Sequence, residues 1–539
     1  MIEKLYIENY KIIKKSELDF NSHINIFVGE NDSGKSTILE ALSIITSGRL
    51  HYIPFNRQII PSLFNYECRS QYISDIKNGG NPEPPMIIIE AYWNEEEDSR
   101  FRGKNNSLGI DTPGVRVTVE FDEDYSQLYK SMLDKGNIAD VPVELYKVEF
   151  KGFNGEAFPF RLSPVHSVVI DASHKDYSST LNAFVNNSIE DILSPEDKVF
   201  LSREYSKQRN GFKVNSCLKE LADNFSKNSD FDEHDISIIL KDINPEMWIR
   251  QMTLAVDQIP FENMGFGTQN IIKSELVLRN IDESSNIILI EEPENNLSYA
   301  NMAKLINRIE KTENKQIFIA THSSYVANKL ALNNLFLLYK GVTKPFSGLS
   351  NEVIQYFKKL PGYNTLRIIL ANKVILVEGP TDELILQRAY KDRYQKLPIE
   401  DGIDIIVVES LAFKRYCEIA IALKKKIYIV TDNDGNKGKL REKYKEYINS
   451  QYIKICYELD EKLHTIEPSI LNVNCHDGIP NQNFVNIVYK GNQSNIDFDS
   501  LSKFMQKNKT EWALRVFDAE ENICYPEYIE NVLQEVNKN

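Results

Sequence analysis

The stretch 374-VILVEGPTDELIL-386 decides how the second half of this chain is read, together with 427-IYIVTDNDG-435 further along. Each begins with a short apolar run that is typical of a buried strand, and each ends in carboxylates. Pro380 suits the first turn of a helix, and another strand and helix lie between the two stretches. This alternation predicts parallel strands whose acidic ends meet at one edge of a sheet.

The acidic residues at these strand ends are candidate metal ligands. Asp382 follows Glu378 by four residues, so the two carboxylates can converge across the turn from strand to helix. Asp432 and Asp434 alternate on a segment that we expect to be extended, so both side chains point the same way. Crowded carboxylates repel one another unless a cation lies between them, and Mg²⁺ or Mn²⁺ prefers oxygen ligands. The alternative is a solvated acidic loop after each strand.

A nucleotide-binding loop lies near the N-terminus. The strand 24-INIFVG-29 runs into 29-GENDSGKST-37, which fits the pattern GxxxxGK(S/T), and helical 38-ILEALSIIT-46 follows. In such a loop the backbone amides surround phosphates at the positive end of the helix. Lys35 would reach the outer phosphates and Ser36 would help to hold Mg²⁺. The residues that we expect to contact ATP are Gly29, Asn31, Gly34, Lys35, Ser36 and Thr37.

Two later strands carry the expected partners of this loop. In 287-IILIEEPENNLS-298, Glu291 is predicted to hold the Mg²⁺ bound to ATP, and Glu292 is predicted to polarise the attacking water. In 316-QIFIATHSS-324, His322 ends another buried strand, where a residue sensing the γ-phosphate would lie. The alternative for each is an ordinary buried strand with a polar end.

Composition limits the class of protein. The chain has 539 residues, 42% of them hydrophobic and 26% charged, which is typical of a soluble globular protein with more than one domain. No apolar window is long enough for a membrane helix, so no membrane partner is expected. Six scattered cysteines without a CxxC pair, and a strand-like start without a signal sequence, favour a cytoplasmic location. The net charge of −15 neither indicates nor excludes nucleic acid.

The pattern of elements suggests how the domains are arranged. Strand signals dominate residues 1–170, and from about 176 to 248 apolar residues recur at helical spacing. This helical block is an insertion that either adds core or forms a dimerisation arm. Strand signals then return, and 360-LPGY-363 separates them from a new alternation of strands and helices. We expect an ATPase domain at 1–362, interrupted by 176–248, and a second domain at 363–539.

The first domain resembles the ABC-type ATPases of the SMC, Rad50 and RecF group. The opening 6-YIENYKIIKKSELDF-20 is similar to their first strands, and 264-MGFGTQN-270 is a degenerate form of their signature motif. By this resemblance, Gly267 and Thr268 would contact ATP bound by another subunit. A composite ATP site in a homodimer or a higher homo-oligomer is therefore implied.

The second domain resembles the Toprim domain of topoisomerases, primases and OLD-family nucleases, which has Glu-Gly after one strand and Asp-x-Asp after a later one. A Toprim domain that follows an ABC ATPase resembles the OLD (overcoming lysogenisation defect) family, which includes the Gabija nuclease subunit and some retron effectors. Through this resemblance, Glu467 in 464-HTIEPSIL-471 is a further metal ligand. Lys509 in 509-KTEWALRVF-517 would stabilise charge on the scissile phosphate.

The resemblance implies an α/β protein with an ABC-type P-loop ATPase domain and a Rossmann-like parallel Toprim sheet. It implies a DNA endonuclease that requires Mg²⁺ or Mn²⁺ and is gated by ATP, acting in anti-phage defence. The implied partner is a helicase-like subunit or a retron reverse transcriptase with its non-coding RNA. The implied metal ligands of the nuclease site are Glu378, Asp382, Asp432, Asp434 and Glu467. The implied catalytic residues are Glu378, Asp432, Lys509 and Glu292.

Two alternatives stay open at this point. One is a RecF-like, ATP-dependent DNA-binding protein or sensor whose acidic site does not cleave. The other is a Toprim-based topoisomerase-like enzyme, which would need a nucleophilic tyrosine. The chain has 27 tyrosines, so the sequence does not exclude it.

Overall fold

The fold was analysed in a computed structural model. It describes residues 1–51, 53–94, 99–160, 163–171, 193–213, 216–227, 248–249, 252–279, 286–408, 412–491 and 496–538. The chain divides into two compact units, one of residues 1–23 and 36–320 and one of residues 24–35 and 321–539. The predicted domain boundary between residues 362 and 363 lies inside the second unit and stays a prediction.

The described part of the chain has fifteen strands of four or more residues, which include the apolar runs predicted at 24–29, 287–290 and 316–320. They are, in chain order, β1 (Ile2–Tyr10), β2 (Ile13–Asp19), β3 (Ile24–Gly29), β4 (Ile87–Trp93), β5 (Thr112–Phe121), β6 (Tyr146–Gly152), β7 (Ser167–Asp171), β8 (Ile287–Glu291), β9 (Gln316–Ala320), β10 (Leu335–Tyr339), β11 (Val342–Pro345), β12 (Lys373–Val377), β13 (Ile403–Val407), β14 (Ile427–Val430) and β15 (Ile453–Cys456).

Helices occupy much of the remaining described chain. They are α1 (Lys35–Ser47), α2 (Tyr66–Lys77), α3 (Ser126–Asp134), α4 (Pro195–Lys213), α5 (Ser216–Lys227), α6 (Phe266–Arg279), α7 (Tyr299–Lys311), α8 (Ser324–Lys329), α9 (Asn351–Lys359), α10 (Thr365–Leu370), α11 (Pro380–Tyr394), α12 (Phe413–Ala422), α13 (Lys437–Lys443), α14 (Ile466–Val473), α15 (Gln482–Tyr489), α16 (Phe498–Lys507), α17 (Lys509–Asp518) and α18 (Glu527–Lys538).

The first unit contains a large antiparallel sheet and a parallel set of strands, besides short two-stranded pairs. The antiparallel strands run in the order β2-β1-β4-β5, with β6 also paired to β5. The parallel strands run in the order β7-β8-β9, and Ile290 of β8 lies opposite Ile170 and Ile319. Since β8 is buried along its four apolar residues, only its end at Glu291 is available for polar chemistry.

The second unit contains the strand that leads into the phosphate loop and a separate parallel sheet. Strand β3 pairs in parallel with β10, which forms an antiparallel pair with β11. The separate sheet has four parallel strands in the order β13-β12-β14-β15. Parallel strands buried on both faces read as continuous apolar runs, as Ile427–Val430 does. The predicted α/β class, with a P-loop strand and a parallel Toprim-type sheet, is confirmed.

The helical block predicted at 176–248 lies only partly within the described residues. Helices α4 and α5 account for the helical pattern of residues 195–213 and 216–227. The rest of the block lies outside the described residues, so its role in dimerisation stays a prediction. No helix in the described part of the chain is long and apolar enough to cross a membrane.

A buried arginine fixes two helices of the second unit to each other. Arg388 of α11 is only 4% exposed. Its guanidinium donates to the carbonyl oxygens of Val516 (2.7 Å), Phe517 (3.2 Å), Ala519 and Glu521 (3.1 Å). These carbonyls lie at and just after the end of α17, where a helix leaves acceptors without partners in its own backbone. Arg388 therefore sets the position of α17, which begins at Lys509, against α11, which carries Asp382.

We predict that Arg388→Met destabilises the protein by about 2 to 4 kcal/mol, because several partly buried carbonyls lose their donor. The matched control is Arg393→Met on the same helix, whose partner Glu530 is largely exposed and whose loss should cost less than about 1 kcal/mol. Thermal unfolding by calorimetry measures both changes. Equal melting temperatures for the two variants would contradict the structural role of Arg388.

Candidate functional site

The acidic residues of the second unit lie at the carboxyl edge of two neighbouring strands. β12 and β14 pair in parallel, with Leu376 opposite Ile429. β12 ends at Val377, immediately before Glu378, and β14 ends at Val430, two residues before Asp432. This arrangement brings the two predicted acidic motifs to one edge, as the alternation of strands and helices indicated.

Two threonine hydroxyls orient two of the carboxylates. The Thr431 hydroxyl donates to Glu378 Oε1, which links the ends of β14 and β12 directly. The Thr465 hydroxyl donates to Glu467 Oε2 at 2.6 Å, and Glu467 is only 2% exposed in the first turn of α14. The sequence pattern did not indicate either threonine. In each case the signal available was a hydroxyl residue one or two positions before a predicted ligand.

Asp382 lies in the first turn of α11. The backbone amide of Gly379, the N-cap residue, donates to Asp382 Oδ2 at 3.0 Å, so the carboxylate caps the N-terminus of α11. Burial, followed by the negative charge of Glu378, raises the pKa of Asp382 to about 7 from an ordinary value of 3.8. The Gly379 hydrogen bond acts in the opposite direction but is outweighed.

The pKa of Asp432 is raised further than that of Asp382. Burial, followed by the negative charges of Asp382, Glu378, Glu467 and Asp434 in that order, raises the pKa of Asp432 to about 8. All five predicted nuclease ligands therefore interact electrostatically, and as carboxylates they repel one another.

The expectation that Asp432 and Asp434 share an extended segment is wrong. β14 has already ended at Val430, and Asp434 has a left-handed backbone with φ of 49°. The turn is built by Asn433, whose side-chain amide donates to the carbonyls of Glu458 and Asp460, both at 2.9 Å. Asn433 is buried, whereas Asp434 is exposed. A tight turn, not strand alternation, therefore sets where the two aspartates point.

Lys509 is the first residue of α17 and is exposed. The neighbouring charges that shift the pKa values of Asp382 and Asp432 most are those of other carboxylates. The charge of Lys509 is not among them. Its predicted role at the scissile phosphate therefore stays a prediction.

The donor chemistry of the acidic cluster fits a divalent cation. Carboxylate oxygens are the ligands that Mg²⁺ and Mn²⁺ prefer, and a cation would relieve the repulsion that raises the pKa values of Asp382 and Asp432. Within the described residues, however, no group of three or more His, Cys, Asp and Glu side chains is placed to hold a metal ion as it stands. The carboxylates would have to turn toward one another to bind it.

The phosphate loop has the local geometry that its motif predicts. Lys35 Nζ donates to the carbonyls of Gly29 (3.1 Å) and Glu30 (3.0 Å), so the lysine folds over its own loop. Gly29 has no room for a side chain, since an added Cβ would lie 2.6 Å from the Leu338 carbonyl oxygen. Gly34 has φ of 109°, a conformation that favours glycine. Asn31 belongs to the same loop, and its predicted contact with ATP stays a prediction.

In the first unit, the residue after Lys35 meets the predicted Mg²⁺ ligand. The Ser36 hydroxyl donates to Glu291 Oε1. Thr37 is buried in the same turn. Glu292 has a left-handed backbone with φ of 47°, and its amide donates to the Ala320 carbonyl at 2.9 Å. The structure therefore brings Ser36 and Glu291 together, and their shared magnesium ion stays a prediction.

The remaining predicted nucleotide contacts are Gly267 and Thr268 in the signature-like segment and His322 after β9. α6 begins at Phe266, so the signature-like segment lies at the start of that helix. A Cβ on Gly267 would lie 2.2 Å from the Asn296 carbonyl oxygen, which accounts for this glycine within a single chain. Thr268 and His322 are exposed. Their contacts with ATP stay predictions.

We predict that the metal-free protein becomes less stable as the pH rises from about 4 to about 8. Asp382 and Asp432 have higher pKa values in the fold than when unfolded, so the unfolded chain releases these protons first. The loss should approach about 1.4 kcal/mol per pH unit for each carboxyl. Urea unfolding in EDTA measures it, and Asp432→Asn should show a shallower pH dependence. Parallel curves for the two proteins would contradict this prediction.

Two family models match the chain. The description "Overcoming lysogenization defect protein-like, TOPRIM domain" matches residues 369–434, which contain Glu378, Asp382, Asp432 and Asp434. The description "AAA ATPase domain" matches residues 1–253, which contain the phosphate loop.

Individual proteins are similar over different parts of the chain. An ATP/GTP phosphatase of Helicobacter pylori is 25% identical over 347 residues, covering 60% of this chain and 85% of the relative. Endonuclease GajA of Bacillus cereus is 21% identical over 509 residues, covering 78% and 72%. The DNA replication and repair protein RecF of Oceanobacillus iheyensis is 36% identical over 59 residues, covering 11% and 16%.

Solved structures give weaker likenesses. An SMC head bound to the C-terminal winged-helix domain of ScpA has a TM-score of 0.32 and 15% identity, covering 65% of this chain and 98% of that one. RecF with ATP has a TM-score of 0.33 and 14% identity, covering 64% and 99%. At TM-scores this low, neither likeness establishes a shared fold by itself. The two family models together show that the chain joins an AAA-type ATPase domain to an OLD-like Toprim domain, which confirms the predicted OLD-type architecture.

Proposed function

We propose that this protein is an ATP-binding, divalent-metal-dependent DNA endonuclease. The observation that carries the proposal is the crowding of Glu378, Asp382 and Asp432 at one sheet edge, where burial and mutual repulsion raise the pKa values of both aspartates. Such repulsion is costly in a protein without a cation to offset it. The similarity to endonuclease GajA supports the same reaction class.

In this proposal each carboxylate has a defined task. Glu378 and Asp432, which follow adjacent strands, would bind the metal. Asp382, Glu467 and Asp434, the last on the exposed side of the turn, would complete its ligands. A bound Mg²⁺ or Mn²⁺ ion would lower the pKa of a coordinated water and offset charge on a phosphodiester. Lys509 would add a positive charge beside the scissile phosphate.

The ATPase domain would regulate cleavage. Lys35 and Ser36 bind the phosphates and their magnesium ion, and Glu291 and Glu292 support hydrolysis. Gly267 and Thr268 would contact ATP bound by a second copy of the chain, so that nucleotide controls a dimer and thereby access to the nuclease site. The biological setting that we propose is defence against phage, with a helicase-like or retron-type partner.

We predict that Glu378→Gln and Asp432→Asn each lower cleavage of supercoiled plasmid by more than about a hundred-fold, beyond the loss expected for a supporting residue. Both changes keep the side-chain shape and remove a ligand charge. Glu446→Gln, an exposed carboxylate in the turn after α13, is the control and should cleave normally. The assay uses Mg²⁺ or Mn²⁺, with gel separation of nicked and linear products.

Other outcomes of this assay identify the alternatives. Relaxation of the plasmid through a protein-linked DNA intermediate would favour a topoisomerase-like enzyme. Binding of DNA that depends on ATP, with no change in the plasmid under any metal or nucleotide condition, would favour a RecF-like sensor. Either result would overturn the endonuclease proposal.

We predict that Lys35→Ala removes the difference between cleavage with and without ATP. The variant should also bind ATP at least about ten-fold more weakly, since a charged donor to phosphate is lost. Lys344→Ala, on exposed strand β11, is the control. Fluorescent-nucleotide titration and the plasmid assay measure the two effects. An unchanged response of Lys35→Ala to ATP would contradict regulation through the phosphate loop.

A further inference from the structure

Tyr444 is a fully buried residue with an unused hydroxyl. The residue is 0% exposed and directly follows α13, the short helix that begins two residues after Gly435. Its ring is covered by the Lys443 ammonium at 5.1 Å from the ring centroid. Within the described part of the chain, its hydroxyl has no hydrogen-bond partner.

An orphaned hydroxyl in this position is costly. A buried polar group without a partner costs about 1 to 3 kcal/mol, so nearly all such groups are paired in folded proteins. Phenylalanine would fill the same space without this cost. The hydroxyl therefore points to a partner that is present only in another state of the site.

The surroundings indicate which state that is. Burial, followed by the negative charges of Glu378 and other nearby groups including Asp434, raises the pKa of the Tyr444 hydroxyl. The hydroxyl is thus a neutral donor close to a predicted metal ligand. One oxygen of Glu378 already accepts a hydrogen bond from Thr431. As the side chains stand, the described acids do not converge to hold a metal, so at least one of them would have to turn to do so.

We propose that Tyr444 is a positioning residue for the metal centre, whose hydroxyl donates to Glu378 when that carboxylate turns from Thr431 to bind a divalent cation. The inference rests on the proposed metal centre. Outer hydrogen bonds of this kind orient ligands, and their loss typically weakens metal binding about ten- to hundred-fold. Thr431 and Tyr444 would hold the two orientations of one carboxylate.

The test compares stability with metal affinity in Tyr444→Phe. In EDTA the variant should melt at the same temperature as the wild type or higher, since a buried unpaired hydroxyl has been removed. Its affinity for Mn²⁺ without nucleotide, measured by calorimetry and by electron paramagnetic resonance, should fall about ten- to hundred-fold. Tyr447→Phe, another buried tyrosine three residues further on, is the control and should bind Mn²⁺ as the wild type does.

The outcomes separate the positioning role of Tyr444 from the proposed metal centre on which it rests. Wild-type Mn²⁺ affinity in Tyr444→Phe would overturn the positioning role, as would a lower melting temperature in EDTA, which would show that the hydroxyl has a partner without metal. Mn²⁺ binding by the Glu378→Gln variant tests the metal centre separately from the role of Tyr444. If it leaves Mn²⁺ binding unchanged, the metal centre itself is wrong. If it abolishes binding while Tyr444→Phe does not affect it, only the inference fails.

Discussion

The repulsion between carboxylates at the end of β12 and β14 is the constraint on which the second unit depends. The two strands pair in parallel, so the residues that follow them cannot separate. Glu378 and Asp432 are therefore forced together in a partly buried place, where Asp382 and Glu467 add further negative charge. A folded protein keeps such an arrangement only if protons or cations compensate it.

The surrounding structure holds this unfavourable cluster in place. Thr431 connects the ends of the two strands, the Gly379 amide binds Asp382, and Asn433 anchors the turn to the backbone of the loop at Glu458 and Asp460. Further away, Arg388 joins α11 to α17 through backbone carbonyls. These contacts use neutral donors or distant charges, so they fix the carboxylates without neutralising them. We propose that a cation neutralises them.

Much of this could be predicted from the sequence, because buried parallel strands have continuous apolar runs that end abruptly in polar residues. The positions of Glu378, Asp432 and Lys35 follow from such runs. The geometry of the 432–435 turn could not be predicted, since it depends on Asn433 reaching a loop more than twenty residues away in sequence. Thr431 and Tyr444 were also missed, because a hydroxyl residue has no distinctive pattern until the fold places it beside an acid.

The central claim is that the acidic edge of the sheet is a metal centre. Diffraction from crystals soaked in Mn²⁺ without nucleotide, recorded at the manganese absorption edge, tests it most directly. We predict an anomalous peak within about 2.0 to 2.6 Å of carboxylate oxygens of Glu378 and Asp432. The absence of any peak at this edge, in crystals that take up Mn²⁺ elsewhere, would contradict it.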